Sequence, residues 1–305
     1  MKFNIFSFFL RWFFSTILLV FMSFLLLRLM PGGPFDDESR MHPLVREKLE
    51  LSWGLKEDYF KQFLLYTKSA FQLELGYSLQ NPGQSVASIV GSRFSHTWIL
   101  NLIVICLVIF LSFVLSFMAF YSQKIRGMIF FVHRVIFSLP ILFLAPMSMF
   151  VFSFYFELLP FAFLDTKLNY ILPIFVLCLR PIAVLSQIQI QNQDEIQKQN
   201  FMQVAKAKGL TEQRLFFVHT LKNSLPMTAS YLPDTLVGLV SGSFLVEMLF
   251  SIPGLGLLFV ESIGERDYPM IVGITLVLGA LFIFLSQLVE TLQHSLDPRK
   301  RIQLV

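Results

Sequence analysis

The sequence predicts an all-α, polytopic membrane protein with six transmembrane helices, and three observations predict it. The first is composition: of 305 residues, 55% are hydrophobic and only 14% charged, with 36 phenylalanines and a mean hydropathy of +0.67. A water-soluble fold of this size could not hide so much apolar surface. The second is run length. Stretches long enough to cross a bilayer, about 17–25 apolar residues each, recur along the chain. The third is where the cations lie. They gather in short loops and at the C-terminus, so the net charge of +4 reads as a topology signal and calls for no nucleic-acid partner. Cys106 and Cys178 both fall inside apolar runs, which offers neither a disulfide framework nor a metal-ligand spacing.

The first transmembrane helix is expected within residues 1–30. Arg11 precedes an apolar run from Trp12 to Leu27, but no small-x-small cleavage site follows, so the run is read as an uncleaved span. Arg28 can snorkel to the interface, and Pro31-Gly32-Gly33-Pro34 stops the helix. Residues 31–96 form the largest polar segment and are expected on the extracytoplasmic side. Residues 43–53 and 57–71 read as two short amphipathic helices separated at Gly54. This segment is either a small folded cap or a surface that receives a partner protein, and both can hold.

Residues 97–305 are read as a five-helix core. The second span covers residues 97–121, and Gln123-Lys124-Ile125-Arg126 is a short basic inner loop. The third span, residues 128–156, contains Pro140 and Pro146, which free backbone carbonyls and kink a helix. A short outer loop leads to the fourth span, residues 170–190. Arg180-Pro181 lies near mid-membrane there, where an arginine costs about 2.5–3.5 kcal/mol, so its side chain should face the bundle interior. Gln187, Gln189, Gln191 and Gln193 then alternate towards the inner end. The fifth span covers residues 225–250. Asp234 falls about 13 Å into it along a helix, and an ionisable residue that deep is a functional candidate. Two readings of Asp234 stand: pairing with Arg180, or offering a carboxylate to a passing solute. Glu247 lies near the outer end, and the proline and glycines after Phe250 suit an irregular turn before a re-entrant outer segment. The sixth span covers residues 270–292, and a basic tail follows.

Lys124, Arg126, Lys198, Lys206, Lys208, Arg214, Lys222, Arg299, Lys300 and Arg301 occupy the proposed inner segments, against Lys167 and Arg266 in the short outer loops. Both termini are therefore expected in the cytoplasm.

The longest polar, basic interruption of the C-terminal half is Asn200 to Pro226, within a loop of residues 195–224. Phe201, Val204, Ala205 and Lys208 fall at helical spacing, with the first three as an apolar stripe. Gly209 stands where a helix wants its C′ residue. Thr211 can cap a second short helix whose apolar side is Leu215, Phe216 and Val218. On periodicity alone, a helix-glycine-helix handle for a partner competes with a basic helix resting on lipid headgroups.

Gln203-Val204-Ala205-Lys206-Ala207-Lys208-Gly209-Leu210 resembles the cytoplasmic signature loop of ABC importer permeases, in particular the peptide-importer branch with its T-A-R-A-K-G-L. Other elements fit the same family: Pro31-Gly32-Gly33-Pro34, Leu75-Gly76-Tyr77-Ser78, Ile171-Leu172-Pro173, Glu247 with Phe250 to Gly256, Arg266-Asp267-Tyr268-Pro269 and Asp297-Pro298-Arg299. Gln203 and Val204 stand where the general signature has glutamate and alanine, and Asn223-Ser224-Leu225-Pro226 closes the loop one residue early. Glutamine stands at the first part of the 187–193 stretch, where the family commonly carries arginines. The resemblance implies that Gln203, Val204, Ala205, Lys206, Ala207 and Gly209 couple to a separate ABC ATPase subunit. It also implies a second homologous permease subunit, an extracytoplasmic substrate-binding protein, and a place in a bacterial inner membrane. Arg180, Asp234, Gln187 and Glu247 are the candidates for the translocation pathway.

No phosphate-binding G-x-x-x-x-G-K-[ST] occurs in the sequence, and none of the hydrolase, zinc-protease or dinucleotide motifs does. The expectation is a transport subunit that needs no cofactor and draws its energy from another polypeptide. Two competitors are a membrane-embedded enzyme using Asp234 and Glu247, which would stand about 20 Å apart along one helix, and a passive channel. The solute stays open among dipeptides, oligopeptides, peptide-like antibiotics and nickel chelates.

Overall fold

The computed structural model describes residues 5–29, 58–81, 83–160 and 167–296. Among the described residues the structure is helical, and its extended pairing is an isolated antiparallel bridge between Tyr77 and Ser85. Among the described residues, four helices are long and apolar enough to cross a membrane. Two further helix pairs pass the same test together but are bent at a short break, which gives six spans if each pair counts once. The expected Pro31-Gly32-Gly33-Pro34 stop, the helix at 43–53 and the tail at 297–301 lie outside the described residues.

The chain divides into two compact units. One holds residues 4–98 and 251–287. It contains α1 (Ile5–Leu29), α2 (Tyr59–Phe71) and the start of α3 (Val86–Tyr121), followed far along the chain by α10 (Leu255–Gly264) and most of α11 (Tyr268–Leu296). Asp58 caps α2 by accepting the Phe60 N–H. Tyr66 of α2 packs into a core with Val20, Tyr268, Val272 and Leu276, and burial there pushes its phenol above the ordinary range. A second core joins Val86 and Val90 to Leu255, Met270 and Ile274.

That core explains a difference from the sequence reading. α3 begins at Val86, not at residue 97, because Val86 and Val90 are buried from the first turn and the Ser85 hydroxyl accepts the Ser88 N–H at 3.3 Å. After Phe250 the chain forms a short apolar helix, α10, bounded by Ser251 and Arg266, both with positive φ.

The other unit is built on residues 99–250. It holds the rest of α3, then α4 (Gln123–Ser138), α5 (Ile141–Met149, continued by π-helical turns over Phe150–Tyr155) and α6 (Ile171–Gln197). α7 (Asn200–Ala207), α8 (Glu212–Ala229, with π-helical turns over Leu215–Leu221) and α9 (Leu232–Leu249) complete it. Fully buried Phe216 of α8 packs edge-on against Phe117 and Phe120 of α3 at centroid distances of 5.0 and 4.9 Å.

Three sequence expectations are corrected here. Gln123-Lys124-Ile125-Arg126 is not a loop but the first turn of α4, capped by the Ser122 hydroxyl, which accepts the Ile125 N–H. The third span is not one helix: α4 and α5 are bent by 104° at Leu139-Pro140. Proline drives the residue before it out of the helical region, and Leu139 is extended, with φ −108° and ψ 126°. The fifth span is likewise two pieces, α8 and α9, bent by 55°. Asp234 therefore sits in the first turn of α9, not deep in a continuous rod.

Candidate docking loop and intramembrane cavity

α7 and the turn after it follow the pattern the residues predict. Lys208 is the C-cap and Gly209 follows in the left-handed region at φ +73°. The Gly209 N–H donates to the Lys206 carbonyl at 3.0 Å and the Leu210 N–H to the Ala205 carbonyl at 3.4 Å. This is the Schellman pattern, which satisfies carbonyls that the helix end would leave bare. Thr211 then caps α8, its hydroxyl accepting the Arg214 N–H.

The buried face of α7 differs from the expected stripe. Met202 and Ala205 are buried in a cluster with Ile196 and Leu215, with Leu210 and Met227 packed against it. Phe201 and Val204 are 44% and 53% exposed. Both sets fit a helical period, and the i, i+3 pair one residue further along won because Met202 and Ala205 close onto α6 and α8. In α8, Leu215 and Phe216 are buried as expected, but Val218 is exposed. Gln203, Val204, Lys206, Ala207 and Gly209 are exposed, and Ala205 anchors the helix from beneath.

Arg180 and Asp234 line one cavity of about 390 Å³ between α5, α6 and α9. Leu139, Ile141, Val176, Leu177, Tyr231 and Thr235 are among its other walls. Both helix breaks open on it. Leu139 and Ile141 flank the Pro140 bend, while Tyr231 and Asp234 flank the start of α9. Neither Arg180 nor Asp234 has an ion-pair partner within 4.0 Å among the described residues, so the pairing between them that the sequence allowed is not made. Gln187 and Glu247 are not among the lining residues. Gln187 is half-buried on α6, and Glu247 is fully buried in α9.

Two polar couplings in this unit were not visible in the sequence. The Gln189 amide donates to the Ser224 hydroxyl at 3.0 Å and accepts from the Thr228 hydroxyl, while the Asn192 amide donates to Thr228 at 3.0 Å. Read with hindsight, the signal was a polar i, i+3 pair on one apolar helix facing another four residues apart. Arg126 forms a bidentate pair with Asp194, at 2.7 and 2.5 Å, and its guanidinium lies 5.4 Å from the Phe130 ring centroid. The two residues carry opposite charge in segments separated by two spans, and nothing in a linear pattern joins them.

Residues 109–302 match the family described as the binding-protein-dependent transport system inner membrane component, a stretch longer than half the chain. The chain belongs to this family. Relatives align along almost the whole length. The oligopeptide transport system permease protein OppB of Haemophilus influenzae is 31% identical over 293 residues, covering 94% of this chain and 95% of that protein. The dipeptide transport system permease protein DppB of Bacillus subtilis is 29% identical over 293 residues, covering 94% of each. The OppB protein of Escherichia coli K12 is 29% identical over 291 residues, covering 94% and 95%. As an inner membrane component of a binding-protein-dependent transport system, the chain is a multi-pass membrane permease subunit and not an enzyme. The family match begins within α3 and takes in both the α7 loop and the cavity.

Proposed function

We propose that the chain forms part of the translocation pathway of an ATP-driven importer for peptides or peptide-like solutes. An ABC ATPase subunit grips α7 and the Gly209 turn from the cytoplasm. Gln203, Val204, Lys206 and Ala207 form the gripped face, with the exposed Phe201 beside them, and Ala205 transmits the motion inward through Met202 and Leu215. A second homologous permease subunit completes the pathway, and an extracytoplasmic binding protein delivers the solute. Membrane lipid surrounds the spans, and both termini lie in the cytoplasm of a bacterial cell, as the distribution of cations favours. Arg180 and Asp234 face the solute.

One observation carries this reading: a short helix that presents an apolar, exposed Phe201 and Val204 on one face while its other face is packed against α6 and α8. A helix resting only on lipid headgroups needs no such rigid mounting. The names of the relatives support peptides as the solute class. The test is Gly209→Asp in the assembled transporter. Transport and its coupling to ATP hydrolysis should be lost while membrane insertion is kept. Normal transport by that variant at normal expression would overturn the coupling role.

A further inference from the structure

We infer that α2 does not stand clear of the membrane as a cap. It is sunk into the bilayer beside α1 without crossing it, with one flank against lipid acyl chains and the next against water. The depth follows from aromatic pairs. Phe63 and Tyr66 of α2 meet Phe24 of α1 at centroid distances of 5.7 Å, and Phe63 also meets Phe21 at 5.6 Å. Further along α2, Phe71 stacks on Phe13 at 5.7 Å. Later residues of α2 thus meet earlier residues of α1, so the two helices run antiparallel. The apolar window of α1 is Phe8–Leu25. Phe13 lies about 18 Å along the helix from the Leu25 end, and the hydrocarbon core of a bilayer is about 30 Å thick. A helix whose last turn touches Phe13 has entered that core.

The chain then returns the way it came. Leu73 and Gly76 have positive φ, Leu75 packs over Gly273 of α11, and Ser78 reaches Asp267 just before α11 begins. Irregular backbone at membrane depth needs internal partners, and this reversal has them. The N–H groups of Gln72, Leu73 and Glu74 donate to the Lys68, Ala70 and Ser69 carbonyls at 3.1, 3.2 and 2.9 Å.

The exposed side of α2 is sorted by polarity. Phe60, Leu64 and Phe71 are exposed and fall within about 40° of arc on a helix. Lys61, Lys68 and Gln72 are exposed too and fall within another arc of about 40°, centred about 80° further round. The apolar arc continues the surface of α1. Phe13, Phe21 and Phe71 keep 44, 42 and 44% of their surface exposed although they lie along the seam between the helices. Acyl chains that cover α1 therefore pass onto α2 without a break. The polar arc needs water at the same depth, since charged side chains inside a bilayer turn towards water or protein. Side chains lean towards the helix N-terminus, which in α2 is the Leu25 end, so both lysines are aimed out of the core.

The experiment labels the unaltered full chain in lipid nanodiscs and reads the modified residues by mass spectrometry. Two phospholipids carry a photoactivated diazirine, one at the end of the acyl chain and one beside the headgroup. Phe60, Leu64 and Phe71 should take label at the level of Phe14 and Leu18, which are exposed on α1. The chain-end probe should favour Phe71 and the headgroup probe Phe60. Lys61, Lys68 and Gln72 should stay unlabelled, and a water-soluble acetylating ester should modify both lysines. An α2 that takes no lipid label while α1 does would stand in water or under protein, which overturns the inference. So would Lys68 and Gln72 labelled as strongly as Leu64, lysines that resist acetylation, or a Phe71 that the headgroup probe reaches as readily as the chain-end probe.

Discussion

The Ser78 hydroxyl donates to the Asp267 carboxylate across 189 residues of chain. Asp267 is 1% exposed, and its other oxygen accepts the Met270 N–H at 3.3 Å, so one carboxylate caps α11 and fastens the Leu75-Gly76-Tyr77-Ser78 turn. The two motifs that the sequence held separately, before the second span and before the last, are halves of one contact. Ser78→Ala leaves a buried carboxylate short of a donor and should lower stability by about 1–3 kcal/mol. Asp267→Ala should cost a similar amount through the lost cap. Since the two changes remove the same bond, the double variant should cost clearly less than their sum. Thermal melts in detergent measure this, and strict additivity would refute the coupling.

Gly209 holds a conformation that side chains dislike, but the space around it is empty. With φ at +73°, a Cβ built there meets nothing within 4 Å. The cost of Gly209→Ala is therefore backbone strain alone, about 1–2 kcal/mol, and asparagine, which tolerates the left-handed region, should cost less. Gly209→Asn should keep more coupled ATPase activity in the assembled transporter than Gly209→Ala. The reverse order would show that bulk at the partner contact, not the turn, sets the requirement for glycine.

Gln189→Leu should loosen the attachment of α8 to α6. It strips the Ser224 and Thr228 hydroxyls of a buried partner, a loss of about 1–2 kcal/mol for hydrogen bonds between membrane helices. The readout is the melting temperature in nanodiscs, together with proteolysis of the Asn200–Pro226 loop. A variant as stable as the parent and equally resistant would mean that the ladder is not needed to mount the loop.

Gly273 and Gly264 make a matched pair. A Cβ on Gly273 would fall 2.4 Å from the Val86 Cγ1, whereas one on Gly264 meets nothing within 4 Å. Gly273→Ala should destabilise by about 1–3 kcal/mol through overpacking, while Gly264→Ala should stay within about 0.5 kcal/mol of the parent. Adding Val86→Ala to Gly273→Ala should recover part of the loss by removing the clashing methyl. Equal melting temperatures for the two single alanine variants would contradict the packing at Gly273.

What the sequence determined by itself was local or statistical. Apolar run length and the placement of cations identified a polytopic helical membrane protein. The glycine after Lys208 and the threonine before Glu212 marked the turn between α7 and α8, because capping is a matter of a few adjacent residues. The proline at 140 was visible, but the size of the bend was not, since a kink angle depends on what the two halves pack against.

Tertiary structure alone decided which of two helical faces is buried. Phe201–Val204 and Met202–Ala205 are equally periodic, and only the presence of Ile196 and Leu215 beneath one of them breaks the tie. It alone brought Arg180 and Asp234 to a common cavity without letting them pair, and it joined Ser78 to Asp267 and Arg126 to Asp194. The reason is range: hydrogen bonds, ion pairs and packing act over a few ångströms in space, and residues far apart in the chain come within that reach only when the helices between them have been laid side by side.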